Sequence, residues 1–293
     1  MPSFVDRFWN SPDGLKLHYR DYDGPQDRPP ILCIPGLTRN ARDFEPVAER
    51  FAGEWRVIAV DLRGRGMSEY DPVLGHYLPQ TYAGDILKLL DQLGIADAVF
   101  VGTSLGGIVT MVMAMQDSER MAGVLLNDIG PEIEQGGVDR IAGYVGQTGA
   151  YASWEALARD LAARNGDVFP DYDLADWERF GRRVARERDG VISFDYDPAI
   201  AEPFHATAKA PPMSAWPYYL ALAGRPVTIL RGELTDLLST EISERMAREI
   251  PNAELITIPR VGHAPALDEP ESIAAIERLL GRVSVGNEAA AIV

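Results

Sequence analysis

Short apolar runs alternate with amphipathic stretches along most of this chain. Leu15-Lys16-Leu17-His18-Tyr19 alternates with period two after the turn signal Pro12-Asp13-Gly14, so the first forty residues or so read as hairpin strands. Ile31-Leu32-Cys33-Ile34 is wholly apolar and stops at Pro35-Gly36, the mark of a strand buried on both faces. Trp55–Val60, Ala98–Val101, Val124–Leu126, Val227–Leu230 and Leu255–Ile258 predict further strands of the same kind. Helical patterns lie between them. The stretch from Thr81 to Leu93 puts Tyr82, Ile86, Leu89, Leu90 and Leu93 on one face and stops at Gly94, a C-cap signal. Leu105–Met115 is apolar nearly all round, as a helix at the centre of a sheet must be. Asp43–Phe51, Ser239–Ile250 and Ser272–Leu280 complete the helical set. Strands alternating with helices predict an α/β fold with a mostly parallel sheet covered on both faces.

One interval breaks the rhythm. About a hundred residues separate Asn127 from Val227, far beyond an ordinary connection of roughly 4–6 residues. The interval carries its own helical patterns, one capped by Ser153 with Trp154, Leu157 and Leu161 on a face, another with Leu174, Trp177, Phe180 and Val184. It ends in the aromatic run Trp216-Pro217-Tyr218-Tyr219. The expected organisation is a core of residues 1–130 and 219–293 with a helical cap at 131–218. The plainer alternative is a small second domain unrelated to any site. Past Val283 the tail turns small and polar, and is expected to fray.

Charge and cysteine content narrow the partners. A formal net charge of -16 repels phosphate backbones and anionic lipid, so no nucleic acid and no membrane partner is expected. The single cysteine, Cys33, allows no intramolecular disulfide, which suits a reducing compartment. No signal peptide is visible and no apolar stretch approaches the roughly 18–20 residues of a membrane helix. The expectation is a cytoplasmic protein, monomer or homodimer, acting on a small molecule.

The chemistry is carried by Val99-Phe100-Val101-Gly102-Thr103-Ser104-Leu105-Gly106-Gly107. Gly-x-Ser-x-Gly is weak alone, but here an apolar strand precedes it and a helix follows. Such a turn is so tight that Ser104 needs strained dihedrals and small neighbours, which Gly102 and Gly106 supply. It lifts the hydroxyl to the top of the sheet at a helix N-terminus. A serine hydroxyl needs a base, and the chain has four histidines. His18 falls in an early strand, where a surface position is the default; His76 is in a polar loop and His205 in the cap. His263 follows the last strand in Gly262-His263-Ala264-Pro265, where such a sheet presents functional side chains. The acid that orients the imidazole is expected at Asp236, just after the penultimate strand, because Ser104, Asp236, His263 is a serine–acid–histidine order. Asp128 and Glu233 compete for that place. The oxyanion would be held by the backbone N–H groups of Leu105 and Leu37.

With these motifs the sequence resembles the α/β-hydrolase superfamily over nearly its whole length. The matching segments are Pro35-Gly36-Leu37, Asp61-Leu62-Arg63-Gly64-Arg65-Gly66-Met67-Ser68, the elbow, Arg231-Gly232-Glu233 to Asp236, and Gly262-His263-Ala264-Pro265. The resemblance implies an eight-stranded, mostly parallel sheet with the second strand antiparallel and the cap inserted after the sixth strand. It also implies that Asp61–Ser68 is mainly architectural, with neither Arg63 nor Arg65 catalytic. Where members often have His-Gly, this chain has Pro35-Gly36. Members that open epoxides or remove halides use an aspartate at the elbow, so serine points elsewhere. The subgroup it looks most like is the enol-lactonase and carboxylesterase-like hydrolases.

The expected reaction is hydrolysis of a carboxylic ester or lactone through an acyl-enzyme, without cofactor or metal, since no set of histidines and carboxylates has ligand spacing. Trp154 and Trp216 are the cap residues expected at an apolar substrate. Arg39, two residues past the oxyanion donor, is a candidate for a substrate carboxylate, as in an enol-lactone or in carbon–carbon bond hydrolysis of a keto acid; the alternative is a solvated rim charge. The rival readings are a ligand sensor that keeps the fold and signals to a partner protein, and a cofactor-free lyase or oxygenase using His263 as base.

Overall fold

The computed structural model describes residues 2–208 and 214–290. Among the described residues, strands β1 (Phe4–Asn10), β2 (Lys16–Tyr22), β3 (Ile31–Ile34), β4 (Val57–Asp61), β5 (Ala98–Thr103), β6 (Met121–Asn127), β9 (Val227–Gly232) and β10 (Glu254–Ile258) form one eight-stranded sheet. Two further strands, β7 (Ala185–Arg188) and β8 (Val191–Phe194), form a hairpin of their own. The large sheet runs β1-β2-β4-β3-β5-β6-β9-β10. β2 is antiparallel to both its neighbours and every other pair from β4 onward is parallel.

The apolar runs are buried on both faces for a simple reason: successive side chains point to opposite sides. Leu32 and Ile34 of β3 join one core, and Ile31 and Cys33 the other; Ile58 and Val60 of β4 divide from Val57 and Ala59 in the same way. Helices α2 (Pro79–Leu93), α3 (Leu105–Gln116) and α9 (Thr240–Glu249) cover the first face. Helices α1 (Glu45–Phe51) and α10 (Pro270–Ala290) cover the second. α2 starts on Pro79 and ends where Gly94 turns left-handed at φ 65°, its N–H returning to the carbonyls of Leu90 and Asp91. α10 continues past Val283 to Ala290; residues 291–293 lie outside the described residues.

Between β6 and β9 come α4 (Gln135–Tyr144), α5 (Trp154–Asn165), α6 (Leu174–Val184), the β7–β8 hairpin, α7 (Ala201–Ala208) and α8 (Trp216–Leu220). Ser153 accepts from the Ala156 N–H at the start of α5, and Asp173 and Asp176 form a capping box on α6, each cap worth about 1 kcal/mol. The helices expected of the interval are joined by this hairpin, whose cause is local: Asp189 and Gly190 both take positive φ (52° and 78°), as a two-residue hairpin turn requires. The return to the core also comes early. α8 packs on α3, and the Tyr219 hydroxyl donates to the Met246 carbonyl at 2.7 Å, so residues 216–218 sit with the core. Residues 209–213 of the expected cap lie outside the described residues.

The inserted segment docks in part on the loops after β3 and β4. Gly66 N–H donates to the Asp195 carbonyl at 3.0 Å and Asp197 N–H to the Gly64 carbonyl at 2.7 Å, while Arg42 pairs with the buried Asp195 at 2.9 Å. No helix among the described residues is long and apolar enough to cross a membrane.

Candidate functional site

The elbow between β5 and α3 is as tight as its glycines suggest. Ser104 sits at φ 52°, ψ −115°, a region an L-residue enters only under strain. A Cβ on Gly102 would lie 2.6 Å from the Gly106 carbonyl oxygen, and one on Gly106 would lie 2.0 Å from that of Ile34. Any larger side chain at either position would force the strand and helix apart. The Ser104 N–H donates to the Asn127 carbonyl at 3.0 Å, which ties the elbow to the end of β6.

His263 reaches this serine from the loop after β10. Its Nε2 is 2.9 Å from Ser104 Oγ, and its ring is almost wholly buried. At Nδ1 the neighbour is Asp128, with Oδ2 at 2.8 Å. The expectation that Asp236 would fill this place is corrected. Asp236 faces away, in a two-pronged ion pair with Arg140 at 2.5 and 2.7 Å, which holds its carboxyl below the usual range. Glu233 is also elsewhere, accepting from the Arg260 N–H at 2.7 Å. The reason lies in backbone geometry. β6 is the direct neighbour of β9, and Asp128, one residue past β6, takes a left-handed conformation at φ 55° that aspartate tolerates better than most residues. Its carboxylate is fully buried and accepts from the Gly232 N–H at 2.9 Å and the Thr235 hydroxyl at 2.6 Å. Three donors thus surround a buried anion, which is what such a group needs.

Asn127 was not singled out by the sequence. Fully buried, it donates through Nδ2 to the Pro265 carbonyl at 2.9 Å and to Thr103 Oγ1 at 3.1 Å. It therefore joins the histidine loop to the strand that carries the serine. The signal available was a polar residue closing an apolar strand beside a second one, Asp128.

Leu37 and Leu105 both line the cavity's neighbourhood: Leu37 borders the cavity itself and Leu105 begins α3 directly after Ser104. Neither backbone N–H has an acceptor among the described residues. The Pro35-Gly36 departure leaves the loop tight, with Gly36 beside Ser104: a Cβ there would be 3.8 Å from that of Ser104.

A cavity of about 190 Å³ opens over Ser104 and His263. It is smaller than the roughly 300–1,000 Å³ of drug-sized ligand sites. The inserted segment supplies an aromatic wall of Tyr144, Phe169, Phe180, Phe194 and Tyr196. Trp154 and Trp216, expected there, are absent from it. Trp154 lies under the Arg182 guanidinium at 4.5 Å, and Trp216 is buried against the core with Arg245 over its ring at 3.8 Å and Glu132 at its Nε1. Helical spacing told which residues share a face but not what that face packs against. Arg39, Arg140, Arg164 and Arg183 also border the cavity. Arg39 lies 4.3 Å over the Phe180 ring and pairs with Asp43 at 2.7 Å; among the described residues the Arg183 guanidinium has only a 3.5 Å contact to Asp268.

The other histidines are placed away from the serine. His18 is buried, which corrects its expected surface position, because its strand register sets it against Asp61 at 2.7 Å; Asp6 holds its other nitrogen at 2.9 Å. His76 gathers with Asp13 and Asp71 in the one group among the described residues with metal-ligand proximity. The Arg63 guanidinium already occupies that group, bonded to Asp71 and, at 3.0 Å, to Asp13. A cation would have to displace another cation, so the group fits an ion-pair network and not a metal. His205 lies on α7, outside the cavity lining.

Comparison with known proteins agrees with this architecture. Residues 31–276 match the alpha/beta hydrolase family. The chain is 30% identical over 276 residues to a 3-hydroxybutyrate-oligomer hydrolase of Cupriavidus necator, covering 90% of this chain and 92% of that one. It is 28% identical to a 2-(acetamidomethylene)succinate hydrolase of Mesorhizobium japonicum, covering 80% and 81%. Among solved structures, an alpha/beta hydrolase from Novosphingobium aromaticivorans superimposes with a TM-score of 0.92 at 50% identity, covering 96% of this chain and 99% of the other. With the sheet order, the elbow and the matched residues in agreement, the chain belongs to the alpha/beta hydrolase family.

Proposed function

We propose that the protein is a serine-dependent hydrolase of carboxylic esters or lactones, acting through an acyl-enzyme on Ser104. The observation that carries the reading is the continuous chain of contacts Ser104 Oγ, His263 Nε2, His263 Nδ1, Asp128 Oδ2, at 2.9 and 2.8 Å. In this reading Ser104 Oγ attacks the ester carbonyl carbon while His263 Nε2 takes its proton. Asp128 stabilises the imidazolium, and the Leu37 and Leu105 N–H groups receive the oxyanion. His263 returns the proton to the departing alcohol. A water then attacks the acyl carbon with the same base, releasing the acid and restoring Ser104.

The small cavity and its aromatic wall favour a short substrate. Arg39 and Arg183 at its lining favour one that carries a carboxylate, in a protein whose net charge of -16 would otherwise repel it. A short ester of a hydroxy acid meets both conditions, and the similarity to the oligomer hydrolase of Cupriavidus necator supports that substrate class. The lone buried cysteine suits a reducing compartment, so the cytoplasm is the proposed location. The test is turnover of linear 3-hydroxybutyrate dimer and of p-nitrophenyl acetate by wild type and Ser104→Ala. The reading expects loss of both activities in the variant; retained activity would return the choice to a histidine-based lyase or a non-serine route.

A further inference from the structure

Two arginines on the loop after β4 are both fully buried, and they are held in opposite ways. Arg63 lies among three carboxylates, Asp13, Asp71 and Asp85. Arg65 has no carboxylate partner among the described residues. Its Nε donates to the Leu37 carbonyl at 2.9 Å, and its Nη1 donates to the Arg63 carbonyl at 2.7 Å and the Tyr82 hydroxyl at 2.9 Å. Nη2 is buried with no acceptor among the described residues. The Tyr82 and Tyr77 rings lie 4.9 and 5.7 Å from the guanidinium. A buried cation without a counter-charge is costly, and an apolar side chain of similar volume would serve the fold better. The uncompensated charge therefore needs another explanation.

Its position supplies one. Leu37, in the loop after β3, borders the cavity, and its N–H has no acceptor among the described residues. A charge-assisted bond to its carbonyl fixes the peptide plane on one side of that residue and so the direction of the donor on the other. The loop after β4 is in turn stapled to the inserted segment, with Arg65 bridged to Tyr196 of the cavity wall. We infer that Arg65 is a positioning residue for ester hydrolysis: it holds Leu37 in place from behind and lends positive charge to the pocket where the oxyanion forms. This rests on the serine-hydrolase reading. In a low-dielectric site, charge aimed at a developing anion acts on the transition state more than on the bound ester.

The experiment measures p-nitrophenyl acetate hydrolysis, benzeneboronic acid inhibition and fluorophosphonate labelling in wild type, Arg65→Met and Arg65→Lys. Boronic acid mimics the tetrahedral state on serine, so its affinity reads the oxyanion pocket. The expected result for Arg65→Met is a roughly 10- to 100-fold fall in kcat, with KM within about threefold and boronate affinity falling with kcat/KM. Arg65→Lys, which keeps the charge, should recover part of kcat. An unchanged kcat in Arg65→Met, a loss confined to KM, or Arg65→Lys no better than Arg65→Met would overturn the inference. If Arg65→Met does not fold, Arg65→Gln, neutral but able to hydrogen-bond, takes its place under the same criteria. Failure of the underlying reading looks different: wild type would escape labelling and Ser104→Ala would stay active.

Discussion

Asp128 and His263, 135 residues apart in the chain, meet at 2.8 Å between Oδ2 and Nδ1. In the proposed mechanism this contact makes Asp128, and not Asp236, the acid beside the imidazole. Asparagine at 128 would keep the volume but remove the charge and allow the wrong ring tautomer. Asp128→Asn should lower kcat by roughly 10⁴. Asp236→Asn, which disturbs an ion pair with Arg140, should change kcat by less than about fivefold. Steady-state kinetics on a common aryl ester checks both, and the reverse ranking would reassign the acid.

The elbow makes a steric prediction independent of activity. Gly106 faces the Ile34 carbonyl, where an added Cβ would lie 2.0 Å from a backbone oxygen that cannot swing aside. Gly106→Ala should destabilise by about 3 kcal/mol, the upper range for overpacking. Gly84 in α2 has open space around it, and Gly84→Ala should stabilise by about 0.5–1 kcal/mol. Urea unfolding of the two variants gives opposite signs if the packing is as described.

Arg140 on α4 and Asp236 on the loop after β9 tie the inserted segment to the core beside the cavity. Both side chains are part-exposed, so the pair contributes at most about 1 kcal/mol. Because Asp236 is held below its ordinary value, first by the hydrogen bonds from Arg140, its contribution is complete above the unfolded carboxyl value of about 4 and is lost as pH falls through the folded one. The stability difference between wild type and Arg140→Met should therefore be present near neutral pH and shrink below about pH 4. A difference that persists to lower pH would assign it to packing of the arginine stem.

Cys33 is fully buried in β3, and burial pushes its thiol well above the ordinary range. Only the thiolate is reactive. Ellman's reagent should find no thiol in the native protein and one per chain after denaturation. Reaction in the native state would place Cys33 nearer the surface.

The sheet, the elbow and the histidine loop were legible because each depends on local order: apolar runs, glycines at fixed offsets, a loop directly after a strand. Asp128 lost to Asp236 in the sequence because the deciding fact is where a left-handed turn aims a carboxylate across to β9, which spacing does not encode. Trp154 and Trp216 failed for a related reason, since an aromatic stripe does not say whether it meets a cavity or an arginine. The β7–β8 hairpin had a local signal in Asp189-Gly190 before the β-prone run Val191–Phe194, overshadowed by the helix-forming Ala185-Arg186-Glu187-Arg188 ahead of it. In the sequence Arg65 belongs to a stretch that looks architectural, and nothing in its neighbours' identities reveals that it reaches Leu37 and not a carboxylate.

The proposed reaction depends above all on covalent acylation of Ser104. Mass spectrometry of the protein quenched in acid during turnover of p-nitrophenyl acetate tests it directly. One acetyl group per chain is expected, mapped by peptide fragmentation to Ser104 and missing in Ser104→Ala. Undiminished turnover with no adduct at residue 104, or acylation elsewhere that survives Ser104→Ala, would contradict it.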